Sequence, residues 1–168
     1  IIAENPTITP AYVAMGEIQY EQADFTAAEA AYRRAARLDP GNFTAQFGHG
    51  QALQALKRFG DAVQAYLRAL TINPNDVRAN LNVSRAYLEL DRPDLAKPFA
   101  EKAVSLEPDN GEARVTLAGI YDELGLTTQA IDTYRVAMEL VEPTPELILG
   151  LVNALSEADR FREAIDAA

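Results

Sequence analysis

One histidine and no cysteine set narrow limits on the chemistry open to this chain of 168 residues. His49, in Gly48-His49-Gly50, carries the side chain best suited to moving a proton near neutral pH. Acid–base or nucleophilic catalysis also needs a nucleophile, a second acid or a metal with spaced ligands, and none is paired with His49 along the sequence. Asp122 and Glu123 read as a solvated helix face. Without cysteine there is neither thiol chemistry nor a disulfide, and no glycine loop of the phosphate-cradling type occurs. No enzyme mechanism, metal site or cofactor site assembles from these residues.

His49 also belongs to a column. At intervals of 34 residues it aligns with Met15, Val83, Leu117 and Leu151, so a hydrogen-bonded or partly solvated packing role in a core is expected. The same interval separates Pro6, Pro40, Pro74 and Pro108. It also separates Ala28, Ala62, Ala96, Ala130 and Ala164, and again Ala35, Ala69, Ala103 and Ala137. A fixed period of this size marks stacked supersecondary units that bury their apolar faces against one another. Positions held to alanine mark close helix approaches, where a larger side chain would overpack the contact at a cost of roughly 1–3 kcal/mol. Tyr32, Tyr66 and Tyr134 form a large column beside the small column of Gly16, Gly50, Ser84 and Ala118, as interdigitation requires.

Each period reads as two helices. Ala45, His49, Ala52, Leu53 and Leu56 follow helical spacing, Lys57–Gly60 interrupts it, and Ala62, Tyr66, Ala69 and Leu70 resume it. Asp24 and Thr127 are predicted N-caps of second helices, and Pro-Gly-Asn, Pro-Asn-Asp and Pro-Asp-Asn are turn signals between units. No stretch alternates as a strand would.

Met15-Gly16, Ala28, Tyr32, Ala35 and Pro40 carry a resemblance to the tetratricopeptide repeat, and nearly the whole chain shares it. The resemblance implies an all-α, right-handed superhelical solenoid of antiparallel helix pairs. The expected organisation is the end of a preceding repeat at 1–8, full repeats at 9–42, 43–76, 77–110 and 111–144, and a truncated fifth at 145–168. Departures are local. Gln19 stands where the family favours tyrosine, with Tyr20 beside it; Ala100 replaces the column tyrosine, with Phe99 available to fill the volume; and the fourth repeat is one residue longer, ending at Pro143. The chain opens on Ile1 and is expected to be a processed product or an excerpt of a longer protein.

The formal net charge of −10 disfavours nucleic acid and anionic membranes, which need clustered cations. No segment is long enough to span a membrane. Residues 111–168 hold eleven acidic and four basic side chains, net −7, against −3 for residues 1–110. Such a field favours a basic partner, although acidic side chains also simply keep a surface soluble.

In the family the first helix of each pair lines a concave face, where ligands usually lie. The column Val13, Phe47, Leu81, Val115 and Leu149 would form an apolar stripe there. Glu17, Gln51 and Arg85 stand one helical turn further on, with Leu88 and Asp122 a turn beyond. Arg78 and Glu112 stand at the near edge, and further acidic residues follow toward the C-terminal half. An apolar floor with a charged rim suits an extended or helical peptide; the plainer reading is that the stripe completes packing between helices. The carboxylate clamp of one family subgroup is absent: its first lysine and asparagine would fall on Val13 and Glu17, or on Phe47 and Gln51. An asparagine ladder also fails, because Asn82 is alone among Ala14, Gly48, Thr116 and Gly150. Pro98, past the first turn of a helix opening at Pro93, predicts a bend.

The expected function is a non-catalytic scaffold that binds a basic or apolar protein or peptide segment in the groove. Alternatives are a regulatory or targeting arm of a larger enzyme, and homo-oligomerisation through the terminal helices.

Overall fold

The computed structural model of the chain describes residues 8–167; of the repeat end expected at 1–8, Pro6 and the rest of 1–7 lie outside them, and Ile8 is instead the first residue of a helix. The described residues form ten helices: α1 (Ile8–Glu21), α2 (Phe25–Leu38), α3 (Phe43–Ala55), α4 (Phe59–Ile72), α5 (Val77–Leu88), α6 (Pro93–Leu106), α7 (Gly111–Glu123), α8 (Thr127–Leu140), α9 (Pro145–Glu157) and α10 (Phe161–Ala167). Each helix packs on its successor, and α1 also touches α3, α5 touches α7 and α7 touches α9. The result is an all-α solenoid of helix pairs with the odd-numbered helices along one side.

The turns explain the period. Asn42, Asp76 and Asn110 follow the repeating prolines by two residues and accept hydrogen bonds from the amides of Ala45, Ala79 and Ala113 at 2.9, 2.8 and 3.0 Å. Thr144 does the same for Leu147 at 3.3 Å. Each cap satisfies one of the amides that a helix start leaves free, a contribution of about 1 kcal/mol. Of the even-numbered helices, Asp24 caps α2 through the amide of Ala27. The expected cap Thr127 is instead the first residue of α8; Leu126 holds the cap position and supplies no side-chain bond.

Within each pair the chain turns through one left-handed residue: Ala23, Lys57, Asp91, Gly125 and Asp159, with φ between 57° and 66°. The next amide then bonds back into the preceding helix, as from Arg58 to the Leu53 carbonyl and from Leu126 to the Tyr121 carbonyl, both at 2.8 Å. This is the six-to-one closure of a helix C-terminus. The break expected at Lys57–Gly60 is therefore shorter, because Phe59 and Gly60 already belong to α4.

The alanine columns are fully buried at 28, 62, 96 and 130 and at 35, 69, 103 and 137. Tyr32 is wedged between two helices: a Cβ on either Gly16 or Gly48 would stand 2.9 or 2.5 Å from its ring. Tyr134 meets Gly150 in the same way, at 2.6 Å. Where Ala100 replaces the tyrosine, Phe99 stacks on Tyr87 with ring centroids 6.0 Å apart. Met15 departs from its core column and is 45% exposed, because among the described residues no earlier helix covers α1. Pro98 lies inside α6, as expected.

Non-glycine residues in left-handed backbone carry a cost of about 1–2 kcal/mol. Lys57→Gly is therefore expected to stabilise the fold by about 0.5–1 kcal/mol, and Gly125→Ala to destabilise it by about as much, read as shifts in urea midpoint.

Candidate functional site

On the wall of odd-numbered helices, side chains four residues apart share a face, and α1, α3, α5 and α7 together enclose a cleft of about 450 Å³. Phe47 and Leu81 form its floor. They are 7% and 4% exposed, so most of each side chain completes packing between helices and only an edge meets the cleft. The accessible surface is the polar rim of Glu17, Gln51, Arg78 and Arg85. The Arg78 guanidinium lies 5.1 Å from the Phe47 ring centroid, a cation–π contact, and bonds to Asp76 at 3.3 Å. Arg85 pairs with Glu112 across the α5–α7 gap at 2.6 Å.

The other expected groove residues are dispersed. Leu88 and Val115 line a neighbouring depression with Arg85. Val13 packs against the small core around Tyr32. Leu149 is 58% exposed on α9, and Asp122 is half-buried outside both depressions. The stripe is thus graded, covered in the middle and open toward the C-terminal end. Tyr32 and Asn82 also line the main cleft and were not among the expected site residues; Asn82's isolation among small neighbours in its column was the available signal.

A second polar cluster sits between α2, α3 and α4. His49 Nε2 lies 3.1 Å from Glu29 Oε1, and Arg33 and Arg58 approach the same oxygen at 3.3 and 3.9 Å. Arg68 donates to buried Gln46 at 3.1 Å. His49 thus has a partner that sequence proximity did not show, 20 residues away. In the register, Glu29 and His49 occupy the positions of Val63 and Val83, and of Ile131 and Leu151, all buried apolar residues, while the joint between them carries Lys97 and Leu117. A hydrogen-bonded pair has replaced an apolar contact between consecutive helix pairs. The cleft over it, about 280 Å³, is lined by Leu53, Asp61, Gln64 and the arginines, without a hydroxyl or thiol nucleophile. Among the described residues no group of three or more His, Asp or Glu side chains could hold a metal, and no helix is long and apolar enough to cross a membrane.

Burial holds the Tyr32 and Tyr134 hydroxyls up at about 12, Tyr32 with help from nearby Glu17. Burial also raises the carboxyl of Asp122, reinforced by Glu157, and that of Glu123, reinforced by Asp91 and Asp122.

Stacked helix pairs around a shallow polar cleft define a helical-repeat protein of the interaction-scaffold class. The chain belongs to the tetratricopeptide repeat family, whose models match residues 13–77 and 87–140. Solved structures of similar fold include the MamA protein (19% identity, 95% of this chain and 87% of that one, TM-score 0.89) and MamA residues 41 to the end from Desulfovibrio magneticus RS-1 (19%, 95% and 90%, 0.87). YrrB, described as a repeat protein of this family with an unusual peptide-binding site, matches at 19% identity over 99% of this chain and 86% of that one, with a TM-score of 0.88. No curated protein sequence matches.

Burial lowers the pKa of His49 despite the bond to Glu29. The unfolded chain, with its imidazole near the usual ~6.5, therefore binds more protons at mildly acidic pH, and stability falls as pH falls through that value. The urea midpoint should drop between pH 7 and pH 5. The double variant Glu29→Val/His49→Val, which restores the apolar pair of the second unit, should flatten that slope. An equal slope in both proteins would assign it to other groups.

Proposed function

We propose that the chain is a non-catalytic scaffold that binds a peptide segment or partner domain along the wall of odd-numbered helices. The observation that carries this reading is the cleft over Phe47 and Leu81, where an apolar floor edge is framed by Arg78, Arg85, Glu17 and Gln51. Such a surface offers shape and directional hydrogen bonds to an extended backbone or a helix face. The description of YrrB as having a peptide-binding site supports the same use of a related fold. The excess of acid in the C-terminal third favours a partner with basic character at that end. Four complete units at 9–42, 43–76, 77–110 and 111–144, with a partial fifth at 145–168, supply the platform.

Self-association is the second reading. Met15 and Ile18 are exposed on α1, and Phe161 and Ile165 on α10. Ile165 shares the register of Ile131, and Met15 that of Leu151, both buried in one core cluster. A head-to-tail contact would reproduce that internal packing. A monomer mass that stays constant on concentration, measured by light scattering, removes this reading.

Because Phe47 and Leu81 are structural, the groove is tested on its rim. Arg78→Glu/Glu17→Lys should keep the helical circular dichroism of the wild type and lose at least about tenfold of the partner captured from source lysate, equivalent to ~1.4 kcal/mol. Arg34→Glu, on the exposed face of α2, should leave capture unchanged. Equal capture by the rim variant moves the binding surface off the groove.

A further inference from the structure

Gly119 differs from the glycines that receive tyrosine rings: a Cβ there would meet no atom within 4 Å. Glycine inside a helix costs about 1 kcal/mol relative to alanine, and Gly119 lies in the interior of α7. The register places it level with Glu17, Gln51, Arg85 and Asn153, so it leaves a notch in the groove wall where the other helices present side chains. The notch opens into a depression of about 370 Å³ with half-buried Leu88 and Val115 beneath it and Glu89 and Glu123 at its edge. Among the described residues, Glu89, Asp91, Asp122 and Glu123 form no salt bridge, while Arg85, the cation in the lining, is held by Glu112. Partial burial, and after it repulsion from Asp91 and Asp122, raises the pKa of Glu123.

We propose that this notch is a pocket for one lysine or arginine side chain of the segment bound along the groove. The proposal rests on the groove reading above and names the chemistry that reading leaves open. A long cationic side chain lays its methylenes on Leu88 and Val115 and delivers its head to Glu89 and Glu123, matching an apolar floor and an anionic edge with one residue. An aliphatic side chain of equal length would leave the carboxylates uncompensated, and an acidic one would be repelled.

The test uses the full chain and acetylated, amidated Ala-Leu-Lys-Leu-Ala as probe, followed by amide chemical shifts up to about 5 mM peptide, the range of weak binding. The lysine peptide should shift the amides of Gly119 and Glu123 saturably, and the norleucine analogue should bind at least about fivefold more weakly, the loss expected for one charge-assisted contact. Gly119→Leu, which fills the notch with a better helix former, and Glu123→Gln should each weaken the lysine peptide with helical circular dichroism intact. Equal binding of the norleucine peptide, shifts scattered over the acidic surface without saturation, or no response at Gly119 overturns the pocket. Partner capture that is lost in Arg78→Glu/Glu17→Lys but untouched by Gly119→Leu leaves the groove standing and removes the pocket alone.

Discussion

Two helices that approach too closely for any side chain beyond a methyl group set the geometry of the whole array. At Ala28, Ala62, Ala96 and Ala130 no surface is left to water, and the second alanine column is equally sealed. This contact brings the helices of each pair so close that their large residues fit only against glycine. Tyr32 lies against Gly16 of its own pair and Gly48 of the next, Tyr66 against Gly50 of its own, and Tyr134 against Gly150 of the next. Successive pairs are thus joined by rings seated in backbone hollows, and the odd-numbered helices fall into line along one side. The cleft is a by-product of that alignment. Its floor is core and its rim is free to vary.

The division between floor and rim shows what one chain of letters conveys about such a fold. The columns of proline and alanine made the helix pairs legible, because their spacing is a local count. Exposure along the Val13, Phe47, Leu81, Val115 and Leu149 stripe was not, because it depends on which helices cover each position. Phe47 and Leu81 are sheltered, whereas Leu149 is open. The Glu29–His49 pair was hidden for a related reason, since its members lie in different helix pairs and neither points to the other along the sequence. The left-handed turn residues were equally silent. Only Gly125, which lacks a Cβ, announces the conformation by its residue type, and Ala23, Lys57, Asp91 and Asp159 adopt it because the helices on either side compel it.

Charge is distributed so that each polar feature has a separate task. In the first two helix pairs, arginines surround a buried carboxylate and lie on the side of the even-numbered helices, where Glu29 fixes the joint between pairs. A buried polar pair is a weak source of stability, but a slip between these helix pairs would leave both its members buried and unsatisfied. In the groove, Arg85 and Glu112 bridge α5 and α7, which steadies the wall without closing it. The free acids gather toward the C-terminal end, where their repulsion is left uncompensated.

The capping pattern carries a further implication, for the order in which the chain organises. After each inter-pair turn, an asparagine, aspartate or threonine stands ready to start an odd-numbered helix, whereas α4, α6 and α8 begin without a side-chain cap. Helix nucleation is the costly step, so in the pairs α3–α4, α5–α6 and α7–α8 the capped member has the advantage in starting. The uncapped member follows when the left-handed turn folds it back onto an existing surface. Growth of the array thus has a polarity: a template helix first, then the helix that covers it.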